Sequence, residues 1–186
     1  MNSFYDDKEL QELGLKSYGK NVYISRKASI YGADRISIGN NVRIDDFCIL
    51  SGCIQIGSYV HIAAYSALYG GSLGIKIEDF ANISSRVSVY SISDDYSGAS
   101  MTNPMIPDEY KNVVNKKVSI GKHVIIGSTS VVLPGVVLKE GSAFGSFSLI
   151  KYDSEEWSIN AGIPCKKIRE RERVALELEK QMMLSL

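Results

Sequence analysis

From Ile38 onward, every sixth residue is aliphatic: Ile44, Leu50, Ile56, Ile62 and Leu68 follow, and after a slip of three residues the series resumes at Ile77, Ile83 and Val89. Residues 94–117 interrupt it. It returns as Ile120, Ile126, Val132, Leu138, Phe144 and Ile150, with glycine directly after Ile120, Ile126 and Phe144, and a weaker leading pair, Ile24 and Ile30, places the start near Asn21. Four residues beyond each of these stands a second small or aliphatic side chain: Val42, Cys48, Ile54, Val60, Ser66 and Ser72, then Ala81, Val87 and Ser93, then Val124, Ser130, Val136, Ser142 and Ser148. A period of six matches neither the 3.6 residues of an α-helix nor the alternation of a half-buried sheet. It does match a short strand and a turn repeated around a triangular prism, with three hexapeptides per turn and both marked positions facing inward. Parallel strands then pair rung to rung, each rung buries the aliphatic residue of the next, and stability accumulates along the axis. The period alone leaves the hand of the coil open.

These columns are core, so function belongs to what the repeat does not explain. An open solenoid end exposes unpaired backbone and apolar side chains and needs a cap. Asp7–Leu15 is expected as a short amphipathic helix through Leu10 and Leu13, and Lys166–Leu184 as a longer one through Ile168, Ala175, Leu178 and Met182, with Pro164 ahead of it. The chain thus divides into an N-terminal cap over 1–20, a coil over 21–165 broken by the loop 94–117, and a C-terminal helix over 166–186. Its 186 residues suffice for one such domain. Lys plus Arg equal Asp plus Glu at 21 each, which removes the global field that draws a protein to nucleic acid or an anionic membrane. No apolar run approaches the roughly 20 residues that span a bilayer. Asp6 and Asp7 stand where a signal peptide would be basic and apolar, so the cytoplasm is the expected compartment. Cys48, Cys53 and Cys165 make neither an even set nor a CxxC pair and are expected as reduced thiols.

The interrupting segment, DDYSGASMTNPMIPDEYKNVVNKK, is polar and holds Pro104 and Pro107, so it has to leave the prism wall. Long loops in compact repeats are uncommon without a function, and loops on a rigid scaffold are where binding and catalytic groups gather. The repeat, this loop, the later IGKHVIIGSTSVVLPGV and the closing AGIPCKKIRER together resemble the hexapeptide-repeat acyltransferases over nearly the whole chain. The resemblance implies an all-β fold, a left-handed parallel β-helix with an outward loop and terminal helices. More narrowly, DDYSGASMTNP followed by Met105, Ile106 and Pro107 is similar to the branch that N-acylates nucleotide-linked amino sugars, such as dTDP-4-amino-4,6-dideoxyhexoses made for surface polysaccharides. That likeness implies an acyl-CoA co-substrate, acetyl-CoA first among them, no tightly bound cofactor or metal, a homotrimer, and active sites between neighbouring prisms.

One departure from the O-acetyltransferases bears on the chemistry. Galactoside and maltose acetyltransferases carry in this loop, where the present chain reads SISDDYSG, a histidine that deprotonates a sugar hydroxyl. An amine, with a pKa of roughly 8 by analogy with an α-amino group, is already partly neutral and manages with a weaker base. Asp94 or Asp95 would then orient the amine and accept its proton, Ser84 would hydrogen-bond it, and His123 is the alternative base or thioester donor. His61, Tyr96, Asn103 and Tyr110 are the expected contacts to the sugar substrate. Gly127, Ser128, Gly145 and Ser146 leave a prism face without bulk for a pantetheine arm. Lys151, Lys166 and Arg169, with Lys167 and Arg171 nearby, gather where the phosphates of coenzyme A would emerge. Turn-capping by aspartate, plain turn preference for Gly and Ser, and a solvated helix face compete with these roles.

Other readings of the coil fare worse. An O-acetyltransferase acting on a sugar or oligosaccharide is the runner-up and would need His123 or His61 as base. A γ-type carbonic anhydrase needs three histidines on one zinc, and the chain has 2. An ice-binding surface calls for a ladder of threonines, and only Thr102 and Thr129 are present. A prism face carrying Tyr59, Tyr65 and Tyr69 would suit a subunit interface.

Overall fold

A computed structural model of the chain describes residues 3–185; Met1, Asn2 and Leu186, the outermost residues of the two expected caps, lie outside the described residues. The chain winds through about seven turns of parallel β-solenoid. On the first face Val22–Ile24, Val42–Ile44, His61–Ile62, Asn82–Ile83, Ile125–Ile126, Ala143–Phe144 and Ser158–Ala161 pair in that order, all parallel. The second face stacks Ser29–Tyr31 on the strands around Leu50, Leu68, Val89, Val132 and Ile150. The third runs from Ser17–Tyr18 through Ile36–Ile38 and the strands around Ile56, Ile77 and Ile120 to Val137–Leu138. Register is set by the repeat: Ile44, Ile62, Ile83 and Ile126 follow one another as rung partners on the first face, each with no exposed surface. A buried side chain of this size contributes about 1.5–3 kcal/mol relative to exposure. Hydroxyls enter this core only with partners: Ser66 donates to the carbonyl of Ser84 at 2.9 Å, and Ser148 to that of Gly145 at 2.6 Å. All three cysteines are free, and burial pushes the Cys48 thiol up to about 11, an inert packing group.

Two of the inward positions do not point inward. Ser72 is exposed and Ser93 half-buried, because the chain bulges out of the wall at both places. The wall is also longer than the period suggests, since Ser17 and Tyr18 already pair with Ser37 and Ile38, four residues before Asn21. The three tyrosines expected on one face are dispersed. Tyr59 sits at one corner stacked on Phe80, Tyr65 at another stacked on Phe47, and Tyr69 on the second face against Tyr90.

The corners explain most of the non-glycine residues with left-handed backbone. At the corner leading into the first face, Asn21, Asn41, Tyr59, Phe80, His123 and Trp157 have φ between 48° and 60°. Asn tolerates that region; an aromatic there needs compensation. Stacking supplies it: Tyr59 on Phe80 at 4.9 Å, Phe80 on His123 at 5.1 Å, and Trp157 tilted at 6.0 Å from His123. Between the last two the column passes Gly141, φ 68°, where a Cβ would lie 2.3 Å from the Trp157 ring, so the rung has no side chain and the indole closes over it.

Both ends are capped. Helix α1, Asp7–Glu12, opens with a reciprocal cap in which the Asp6 carboxylate accepts from Glu9 N and the Glu9 carboxylate from Asp6 N, at 3.0 and 2.8 Å. Its Leu10 is buried against the first coil with Leu13 and Leu15 packed beside it. The C-terminal helix is shorter than the amphipathic pattern suggests. Lys166–Glu170 forms a strand antiparallel to Ser158–Ala161, covering the open backbone edge of the last rung, and helix α2 spans only Val174–Leu184. No described helix is long and apolar enough to cross a membrane.

Candidate active site

The break in the repeat folds as an arm. Ile92–Ser93 and Val114–Asn115 pair antiparallel at its root, a second bridge joins Met101 to Lys111, and a 3-10 turn, Asp108–Tyr110, lies at its far side. Asn115 ties the root to the neighbouring bulge, donating to Ser72 Oγ at 2.5 Å and accepting from Leu73 N at 3.4 Å. Between the arm and the second face opens a cleft of ≈ 840 Å³, with Asp94, Asp95 and Tyr96 on the arm side and Tyr90, Val131 and Lys151 on the coil side.

The two aspartates differ in what they hold. Asp95 accepts from Ser97 N and Ser97 Oγ at 2.8 Å each and from Ser100 Oγ at 3.0 Å, bonds that keep its carboxyl below the usual carboxylate range. It folds the tip of the arm. The Asp94 carboxylate, one residue earlier and exposed, has no hydrogen-bond or ion-pair partner among the described residues. Ser84 is similar: its amide donates to Ile126 O at 3.0 Å and its carbonyl accepts from Ser66, while its hydroxyl is unengaged. Ser84 does not line the Asp94 cleft. It stands at the corner entering the second face, whereas the arm springs from the corner leaving it; the strand between them, Ser88–Tyr90, spans roughly 10 Å at 3.3 Å per residue.

The remaining candidates sort by the same test. His123 is held at 2.7 Å by Glu179 of α2 and stacked in the corner column, and it lies outside the cleft. His61, on the outer side of the first face, bonds Asp45 at 2.9 Å; burial opposes ionisation of that carboxylate, but hydrogen bonds from His61 and Arg43 outweigh it and hold it low. The Asn103 carboxamide caps a turn by accepting from Met105 N at 3.0 Å. Tyr96 projects freely from the arm, and Tyr110 borders a separate hollow on it. Gly127 and Gly145 have a packing reason: a Cβ at Gly127 would come within 2.5 Å of Ser146 N, and one at Gly145 within 3.1 Å of Ala161. Ser128 faces Ser85 at 3.4 Å and Ser146 is exposed on the next rung of the same corner. Of the basic residues, Arg171 donates to the carbonyls of His123 and Gly141 at 2.9 Å each and Lys167 pairs with Glu155 and Glu170. Lys151, Lys166 and Arg169 have no carboxylate partner among the described residues. Glu179 is the residue that periodicity passed over. Its bonds from Lys122 at 2.6 Å and from His123, against some loss of hydration, hold its carboxyl below the ordinary 4.5. A lowered folded value means stabilisation that is present above 4.5 and lost as pH falls through the folded value. Acid titration should therefore loosen α2 and alter the emission of Trp157, the single tryptophan, and Glu179→Gln should remove that transition; an unchanged titration would refute the assignment.

The family model described as "Bacterial transferase hexapeptide (six repeats)" matches residues 35–70. A dTDP-4-amino-4,6-dideoxy-D-glucose acyltransferase of Escherichia coli is 54% identical over 180 residues, 95% of this chain and 93% of its own length. AntD, an N-acyltransferase from Bacillus cereus, superposes with a TM-score of 0.98 at 55% identity over 100% of both chains, in the complex of its S84A variant with dTDP-4-amino-4,6-dideoxyglucose and coenzyme A. A D94A variant of the same protein was solved with dTDP and coenzyme A. A galactoside acetyltransferase in complex with coenzyme A, 17% identical with a TM-score of 0.56 over 90% of this chain and 74% of its own, shares the fold.

Proposed function

Because the chain belongs to the hexapeptide-repeat acyltransferases, we propose that it is an acyl-CoA-dependent N-acyltransferase of a nucleotide-linked amino-deoxy sugar, a dTDP-4-amino-4,6-dideoxyhexose. The observation that carries this reading is the unpartnered Asp94 carboxylate at the mouth of the cleft, on an arm without histidine. The sugar amine attacks the thioester carbonyl, its proton passes to Asp94, and the carbon–sulfur bond breaks to expel the coenzyme A thiolate, which takes up that proton and leaves as the thiol. A carboxylate is too weak a base for a sugar hydroxyl but adequate for an amine that becomes acidic as its nitrogen bonds to carbon. Neither histidine lines the Asp94 cleft, which disfavours the O-acyl alternative. That AntD was solved with variants at a serine numbered 84 and an aspartate numbered 94 agrees with assigning Ser84 and Asp94 here.

Ser84 and Asp94 flank opposite corners of one face, which supports a site to which a second copy brings its arm. The functional unit we infer is a homotrimer with three such shared sites. Lys151, Lys166 and Arg169, with Ser128 and Ser146 along the corner, are assigned to the donor's phosphates and pantetheine arm. Tyr96, Asn103, Tyr110 and His61 remain secondary contacts to the acceptor, and placement in surface-polysaccharide synthesis follows from the sugar class.

The test is purified protein with acetyl-CoA or 3-hydroxybutyryl-CoA, the latter bound with dTDP in another AntD complex, against dTDP-linked 3-amino and 4-amino dideoxyhexoses and plain galactosides. Thiol release with the matching mass gain on an amino sugar is the expected result. Release with galactosides alone would overturn the reading.

A further inference from the structure

The three-residue slip in the hexapeptide series, between Leu68 and Ile77, adds nothing to the wall of the prism. On the preceding rung Leu50 and Ile56 keep the spacing of six. The two rungs pair through Gly52 with Gly71 and Ile54 with Ile75, so the surplus is thrown outward as a bulge around Ser72 and Leu73, both exposed. The following rung is the one that the arm interrupts: Tyr90 pairs with Tyr69 before the arm leaves, and Val118 with Ile75 after it returns. The bulge thus lies directly beside the root of the arm, and three hydrogen bonds join them. Ser91, fully buried, donates to Gly70 O at 2.5 Å, while the Asn115 carboxamide donates to Ser72 Oγ at 2.5 Å and accepts from Leu73 N at 3.4 Å. Gly71, φ 53°, makes room for that carboxamide, since a Cβ there would lie 3.2 Å from Asn115 Oδ1.

We propose that Asn115 is a positioning residue for Asp94, and that the bulge is the abutment against which it sets the arm. The inference rests on the N-acyltransferase reading and deepens it. Asn115 is the ladder partner of Ile92, and Ser93, the last residue of that ladder, adjoins Asp94. A two-residue antiparallel ladder is too short to fix the pose of the arm by itself. The Asp94 carboxylate has no partner of its own among the described residues, so its place at the cleft is inherited from the root. The carboxamide supplies what the ladder lacks. It uses a donor and an acceptor at once, on two successive residues of the bulge, and so holds the return strand in both place and orientation. Ser72 and Leu73 lie outside the core, so these bonds bear on the arm and not on the packing of the coil. The demand for such a brace comes from the chemistry: misplacing a reacting group by about 1 Å costs about 10²-fold in rate.

The experiment uses the full chain with acetyl-CoA and the dTDP-linked amino sugar. Asn115→Leu, close in size and unable to hydrogen-bond, should lower kcat by roughly tenfold to a hundredfold, with KM for acyl-CoA as in wild type. Asn115→Asp should recover part of the loss, because the Ser72 hydroxyl and the Leu73 amide can both donate to a carboxylate. Two further readouts separate positioning from a merely structural role. The rate of Asn115→Leu should climb between about pH 7 and pH 9 as steeply as that of Asp94→Asn, since either change leaves the amine's proton to hydroxide. Adding Asn115→Leu to Asp94→Asn should cost little further, because the residue acts through that carboxylate. Ser72→Ala, at an exposed position, removes one bond without touching the ladder and should show the same pattern at roughly twofold to tenfold. Wild-type kcat and pH profile in Ser72→Ala, or full additivity of Asn115→Leu with Asp94→Asn, would overturn the positioning role while leaving the N-acyltransferase reading intact. Absence of transfer to any amino sugar by the wild-type protein would be the failure of the underlying reading.

Discussion

Replacing Asp94 by Asn should lower kcat by about 10²–10⁴, the range a positioned acid or base contributes, with KM for both substrates nearly unchanged. Asn keeps the size and hydrogen-bonding reach of the side chain, so the arm should retain its fold; what it loses is the capacity to accept the amine's proton. The residual activity has a direction in pH. The neutral fraction of the amine rises with pH for both enzymes, but without Asp94 the proton has to pass to hydroxide, so the variant should gain rate more steeply between about pH 7 and pH 9 than wild type does. Asp95→Asn supplies the contrast. It would weaken the turn that Ser97 and Ser100 close on Asp95, loosening the arm and raising KM more than it lowers kcat. Should Asp95→Asn abolish turnover and Asp94→Asn leave it intact, the roles are exchanged and the free carboxylate at the cleft mouth is incidental. Ser84→Ala should fall between them, because it removes one hydrogen bond to the acceptor and no proton acceptor.

The solenoid was legible because its information is periodic. A column such as Ile44, Ile62, Ile83 and Ile126 repeats one choice at one spacing, and every buried aliphatic marked by the period lies in the core. The breaks were legible as breaks, but where side chains point within them was not. Ser72 continues the arithmetic of the repeat yet faces solvent, since the bulge at Gly70 and Gly71 lifts it from the wall. At the candidate site, sequence reasoning put Asp94 ahead of Asp95 and His123 as the base, but which of the two aspartates Ser97 and Ser100 engage was not legible from their adjacent positions. The surroundings of His123 were hidden for a related reason. Its place after a hexapeptide glycine and soon after the arm suggests a cleft, whereas its partners come from 43 residues earlier, at Phe80, and 56 later, at Glu179. The C-terminal amphipathic pattern failed through competition: the unpaired edge of Ser158–Ala161 captured Lys166–Glu170 as a strand, and left α2 with a face of Val174, Leu178 and Met182 exposed in the single chain.

Gly141→Ala should destabilise the fold by about 2–5 kcal/mol, more than any conservative change on the surface. Two independent costs combine. An alanine at φ 68° costs about 1–2 kcal/mol relative to the right-handed region. Its methyl group would also sit 2.3 Å from the indole of Trp157, which is 2% exposed, and overpacking of that kind costs about 1–3 kcal/mol. The indole cannot slide away freely, because Arg171 and Arg173 lie over it at 5.9 Å and Trp157 N donates to Glu140 O at 2.9 Å. Displacing it disturbs the carbonyl of Gly141 that Arg171 bonds, and with it the route from the last rung to α2. The denaturant midpoint followed by Trp157 emission should fall with an unchanged slope, since the exposed surface on unfolding stays the same. The damage should also be one-sided in function. The last rung carries Lys166 and Arg169, whereas Ser84 and Asp94 belong to earlier turns, so KM for acyl-CoA should rise while KM for the amino sugar holds. A midpoint within error of wild type would mean that the corner column tolerates a side chain at every rung, and that Trp157 is a lid resting on the coil without bracing it.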